Sequence, residues 1–223
     1  SAELYRKQPP AILRWCGWTC YQARNYQLAE KYLSDSVNFE KQRESYTAAD
    51  GSTQERPLTE PLVWKTLARA RLETGKYAEG LEAADHFLSK DDQPYRRAEC
   101  MRDKALLLVG LKRAEEARRL CEEAIELGID GPIKSSIFLA LGDAWYADGQ
   151  YAEAAKYYGR TANIVKDKDL KPVALYKIAD ALRKAGKVSE ASQYENALKS
   201  EFPNWEPSDS VSRLIDRSAK PKK

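Results

Sequence analysis

The sequence predicts an all-α chain, a solenoid of about five antiparallel helix pairs followed by a capping helix. Three observations carry this. The stretch Leu141–Tyr158, LGDAWYADGQYAEAAKYY, reads as two amphipathic fragments hinged at Gly149. Leu141, Gly142 and Trp145 share one helical face before the break, and Tyr151, Ala154, Ala155 and Tyr158 begin another after it. The block then recurs. The small residue of its second helix falls at Ala29, Gly80, Ala117, Ala154 and Ala191, the last four spaced by 37 and the first gap longer by 14. The small residue of the first helix keeps the same register at Gly17, Ala68, Ala105, Gly142 and Ala179. Four residues before each of these stand Leu13, Trp64, Met101, Phe138 and Leu175, and three after stand Cys20, Arg71, Leu108, Trp145 and Leu182. Chance amphipathicity would drift out of such a register, so the chain is a repeat.

At these residues the chain resembles the tetratricopeptide repeat family. In that repeat a large apolar residue, Leu-Gly, an aromatic, a turn Gly, a Tyr, Ala and a further aromatic follow one another along a helix–turn–helix unit. LGDAWYADGQYAEAAKYY, TGKYAEGLEAA (Thr74–Ala84) and AGKVSEASQYE (Ala185–Glu195) carry the pattern over residues 10 to about 203. Four positions depart from it. Arg24 and Lys112 stand where the turn Gly is expected, Ala114 where the Tyr is, and Glu195 where the late aromatic is. The resemblance implies a right-handed superhelix whose first helices line a concave groove that captures peptides or short helical segments.

In chain order, residues 1–9 read as the end of an upstream helix or an N-terminal stub, stopped by Pro9-Pro10. The five repeats then span about 10–60, 61–93, 94–131, 132–171 and 172–205. The first pair covers Pro10 to Arg24 and Tyr26 to Ser45, and the polar stretch Tyr46–Glu60 reads as a surface loop. Pro61, Pro94, Pro132 and Pro172 lie at or just ahead of the later pairs. There the missing N–H would lack a helical partner in any case. Pro203 halts the fifth pair, and residues 206–223 form the cap and a basic tail, with Val211, Leu214 and Ile215 on one face.

Composition narrows the function. A net charge of +3, with basic and acidic residues interleaved, offers no nucleic-acid surface, and no apolar run reaches membrane-spanning length. His86 is the sole histidine and has no carboxylate or Cys cluster in register, so a packing role is expected rather than a metal or base role. Cys16 and Cys20 share a helical face at a spacing unlike a redox CxxC pair. Cys100 and Cys121 lie in the two helices of one repeat, where a bridge is conceivable but buried free thiols are the preferred reading. No phosphate loop or nucleophile elbow is present, so the chain is read as a non-catalytic protein without cofactor or metal.

Binding is therefore the expected function. On each first helix the face turned from its partner carries positions i, i+4 and i+7. From these columns the partner-binding candidates are Arg14, Trp18, Tyr21, Lys65, Arg69, Arg102, Asp143, Tyr146, Tyr176 and Asp180. Exposed aromatics make good anchors, and the early Arg and Lys would draw an acidic end of a protein or peptide ligand over repeats one to three. The alternative is a structural assembly module of a larger protein with an empty groove. An ending in an FPN-like turn also resembles envelope-associated assembly factors of bacteria, which implies the periplasmic side and a fragment of a longer chain.

Overall fold

The structure, a computed structural model, describes residues 10–41, 45–47, 50–55, 61–164 and 170–207. The expected N-terminal stub and the cap beyond Pro207 lie outside the described residues. Ten helices are found among the described residues: α1 (Pro10–Gln22), α2 (Tyr26–Lys41), α3 (Pro61–Thr74), α4 (Tyr77–Leu88), α5 (Pro94–Gly110), α6 (Ala114–Glu126), α7 (Pro132–Ala147), α8 (Tyr151–Ile164), α9 (Leu170–Lys184) and α10 (Val188–Glu201). They pair consecutively, as the register demands. The chain divides into two compact units, residues 1–92 with α1–α4 and residues 93–223 with α5–α10.

The stretch read as an irregular loop is corrected in part. Ser45–Thr47 (β1) and Thr53–Glu55 (β2) pair antiparallel, with Ser45 opposite Glu55 and Thr47 opposite Thr53. Between them Gly51 takes φ 82°, and Asp50 accepts hydrogen bonds from the Ser52 amide and hydroxyl. This Asx turn lies between the strands, and Ser45, expected at the end of α2, belongs to β1.

The five turns within the helix pairs are built alike. The residue at each turn is left-handed: Arg24 (φ 57°), Gly75 (φ 78°), Lys112 (φ 62°), Gly149 (φ 77°) and Gly186 (φ 80°). In each, the next amide reaches back to the carbonyl five residues earlier, as in Asn25 to Cys20, Lys76 to Arg71, Arg113 to Leu108, Gln150 to Trp145 and Lys187 to Leu182. This double hydrogen-bonded ending satisfies the last helical carbonyls and turns the chain sharply. Arg24 and Lys112 therefore depart from the repeat in side chain but not in backbone.

Within each pair the small-residue columns set the approach. A Cβ on Gly17 would lie 2.6 Å from Leu33 Cγ, and one on Gly142 would lie 2.5 Å from Tyr158 Cδ1. Ala29, Ala68, Ala105, Ala117, Ala154 and Ala191 are buried, as are Leu13, Trp64, Met101, Phe138 and Leu175 in the large apolar column. In the first unit Arg71 crosses elements, donating to the Glu79 carbonyl (2.9 Å) and to Ser34 Oγ (3.2 Å). Beside it Lys76 pairs with Glu30 at 2.8 Å. Burial would raise the Glu30 carboxyl, but hydrogen bonds from Lys76 and Ser34 outweigh it and hold the group below its usual range. His86 packs on the Trp64 ring at 4.1 Å, a packing role. The four cysteines are free thiols, and burial pushes that of Cys121 far up.

Two outcomes are expected. Gly142→Ala drives a methyl into the Tyr158 ring and lowers stability by about 1–3 kcal/mol, measured by urea denaturation. An unchanged midpoint would show that the close approach is not maintained. Lys112→Gly relieves a left-handed side-chain clash and raises stability by about 1 kcal/mol in the same assay.

Candidate functional site

The groove columns come from the first helix of each pair, and each unit presents its own set. In the first unit Trp18 is 54% exposed, Arg14, Lys65 and Arg69 are half-buried, and Tyr21 meets Tyr26 edge-on at 5.7 Å. Arg69 faces Glu73 of its own helix at 2.8 Å. In the second unit Arg102 holds Asp103 through two nitrogens, at 2.7 and 3.0 Å, and reaches Ser136 Oγ at 3.3 Å. Arg69 and Arg102, two of the cations read from sequence as drawing an acidic ligand, are thus engaged by neighbouring carboxylates.

Asp143 and Tyr146 are buried, not set on an open wall. Tyr146 packs with Ile178, Ala181 and Leu182. Asp143 meets Lys177 of α9, itself 3% exposed, whose ammonium donates to both Asp143 oxygens at 2.6 and 2.8 Å. The Tyr158 hydroxyl adds a third bond to Asp143, at 2.7 Å. Burial, and then the Asp143 carboxylate, push the Tyr158 phenol well above its usual range, so it stays a donor. One turn along, the Tyr146 hydroxyl donates to Asp180, and Lys184 lies over the Tyr146 ring at 5.0 Å. Lys177 escaped the sequence reading because it stands one residue off the groove column, where its repeat equivalents are Thr66, Asp103 and Ala140.

The groove opens at the last repeat. Tyr176, Asp180 and Arg183 of α9 form one wall of a cleft of about 390 Å³, closed by Leu198 and Lys199 of α10 and by Phe202, Pro203, Trp205 and Pro207. The Tyr176 and Trp205 rings lie 5.6 Å apart, tilted by 54°. Pro203 ends α10, and the following turn, with the Trp205 amide on the Phe202 carbonyl (3.1 Å), swings the indole over α9. Arg183 pairs with Glu195 across the cleft rim. Among the described residues Asp180 has no basic partner and Lys199 no acidic one. The site is an aromatic slot with one carboxylate and one ammonium available at its edge. Its size suits a side chain or short segment. The sequence reading found Tyr176 and Asp180 from the column but not Leu198, Lys199 or Phe202, which the turn at Pro203 brings in.

The buried charge pair makes a sharp expectation. Lys177→Met leaves the Asp143 carboxylate buried without its cation and costs about 3–5 kcal/mol. Adding Asp143→Leu recovers most of that loss, since two apolar residues replace the pair. A double-mutant cycle in urea reads the coupling, and independent additive losses would refute it.

A sequence profile of the tetratricopeptide repeat matches residues 65–132 and again 103–169. No curated protein sequence matches the chain. Among solved structures, a thermophilic tetratricopeptide-repeat protein of Thermus thermophilus is 16% identical, with a TM-score of 0.63 over 94% of this chain and 97% of that one. The Rap protein complexed with competence and sporulation factor is 15% identical, with a TM-score of 0.72 over 92% of this chain but 56% of its own. NprR in complex with its cognate peptide NprX is 15% identical, with a TM-score of 0.68 over 97% of this chain and 62% of its own. At these identities the likeness is one of fold. With its 37-residue register, five alike turns and helix pairs, the chain belongs to the tetratricopeptide repeat family.

Proposed function

We propose that the chain is a non-catalytic protein-interaction scaffold that takes a partner segment along its first-helix columns, anchored in the α9–α10 cleft. The carrying observation is the convergence of Tyr176 and Asp180 with Trp205 on one open slot. A large apolar side chain of the ligand packs against the paired rings, where desolvated aromatic contacts give most of the binding energy. A basic group of the ligand meets Asp180 and an acidic one meets Lys199. The two solved relatives whose names include a bound factor or peptide, Rap and NprR, support a peptide ligand. An acidic-end preference at Arg14, Lys65, Arg69 and Arg102 has weaker support, because Arg69 and Arg102 already face Glu73 and Asp103. The alternative, an assembly module, has one feature in its favour, the exposed Ile12 and Trp15 on α1.

A peptide selected from a displayed library on the whole protein, then titrated by calorimetry, tests this. Trp205→Ala and Tyr176→Ala each weaken it by roughly tenfold or more, the loss of about 1.4 kcal/mol. Replacing Lys65, Arg69 and Arg102 together by Ala changes affinity little at physiological salt. Undiminished binding by both cleft variants would move the site elsewhere.

A further inference from the structure

Within each unit, the first helix of a later pair buries one stripe against the pair before it. On α3 this stripe includes Val63 and Ala70, on α7 Ile137 and Ala144, and on α9 Ala174 and Ala181. At the same register α1 carries Ile12 and Thr19, and between them Trp15 and Cys16. Ile12 is 45% exposed, Trp15 67% exposed and Thr19 exposed, while Leu13 and Gly17 on the opposite face pack against α2. The interface that α3, α7 and α9 complete is thus left open on α1 among the described residues, with a tryptophan at its centre.

We propose that this face of α1 pairs with the same face of a second copy of the chain. Ile12, Trp15, Cys16 and Thr19 follow the i, i+3, i+4, i+7 spacing of a helix-pairing stripe, symmetric about its midpoint. Two such stripes meeting antiparallel set Ile12 opposite Thr19 and Trp15 opposite Cys16 in both directions, as a two-fold interface requires. Charge does not oppose it: Arg14, on the groove side, is the one charged residue of α1. The other end of the chain is a poor partner for the stripe. At the α10 positions equivalent to Leu33 and Val37 of α2, or Tyr158 and Ala162 of α8, stand Glu195 and Lys199. Head-to-tail stacking would bury those charges against Trp15, so the paired copies meet α1 to α1. One helix pair is small beside the roughly 800 Å² per partner of a standard interface, so the dimer forms in the micromolar range and dissociates on dilution.

Sedimentation velocity of the whole protein, from about 1 to 200 µM, reads the pairing. The expected mass rises with concentration from 25.3 kDa toward twice that value. Trp15→Glu stays monomeric throughout, with unchanged circular dichroism and melting, since the side chain it replaces is exposed. Ile12→Asp does the same from another point of the stripe. A short bismaleimide links two wild-type chains and fails on Cys16→Ser but not on Cys20→Ser. A wild-type monomer at the highest concentration overturns the proposal and leaves the face to a helix of another protein. A dimer that survives both stripe variants overturns it as well.

Discussion

Everything in this fold depends on how closely two helices can approach at one position per repeat. At Gly17 and Gly142 there is no room for a single methyl group beside Leu33 and Tyr158. Elsewhere in the same columns an alanine suffices, as at Ala68, Ala105 and Ala179, all buried. Close backbone approach lets the large residue four positions earlier fill the space around the crossing, and a densely packed interior tolerates little change of volume there. Tyr158 shows the gain from this arrangement. With Gly142 beneath it, the ring lies fully inside and its hydroxyl still reaches Asp143.

The turns supply the second constraint, and they bear on the first. A helix pair can present its small residues to each other only if the chain reverses within a fixed number of residues. Each reversal uses a left-handed residue and a back-reaching amide. Where that residue is Arg24 or Lys112 the geometry is kept against the preference of an L side chain, so tertiary packing outweighs a local cost of about 1–2 kcal/mol. The repeat is thereby held in register even where its sequence signature lapses.

Between neighbouring repeats polar seams run alongside the apolar contacts. Glu30 with Lys76 and Arg71, Arg102 with Ser136, and Asp143 with Lys177 each tie one repeat to the next within its unit. These seams consume much of the charge that the groove columns carry. Farther along α9 no such partner meets Asp180 beyond the Tyr146 hydroxyl among the described residues, and the wall opens into the aromatic slot at Trp205. The open aromatic surface therefore lies at the last of the described helix pairs.

The amino-acid sequence by itself determined the fold class, the repeat count and the residues at each crossing. Those features are local or periodic, and a 37-residue register repeats the same physical demand at Gly17, Ala68, Ala105, Gly142 and Ala179. It also marked Trp18, Tyr176 and Asp180 as lying on the outward columns. The hairpin within residues 45–55 was not legible, because three-residue strands carry no period and Asp50-Gly51 reads equally well as a turn in a loop. Nor was the fate of Asp143, which lies in the same column as Asp180. Only the tertiary structure decides that Lys177 reaches the first and not the second. A partner on a neighbouring repeat depends on the distance between helices, and no column of one sequence encodes that distance.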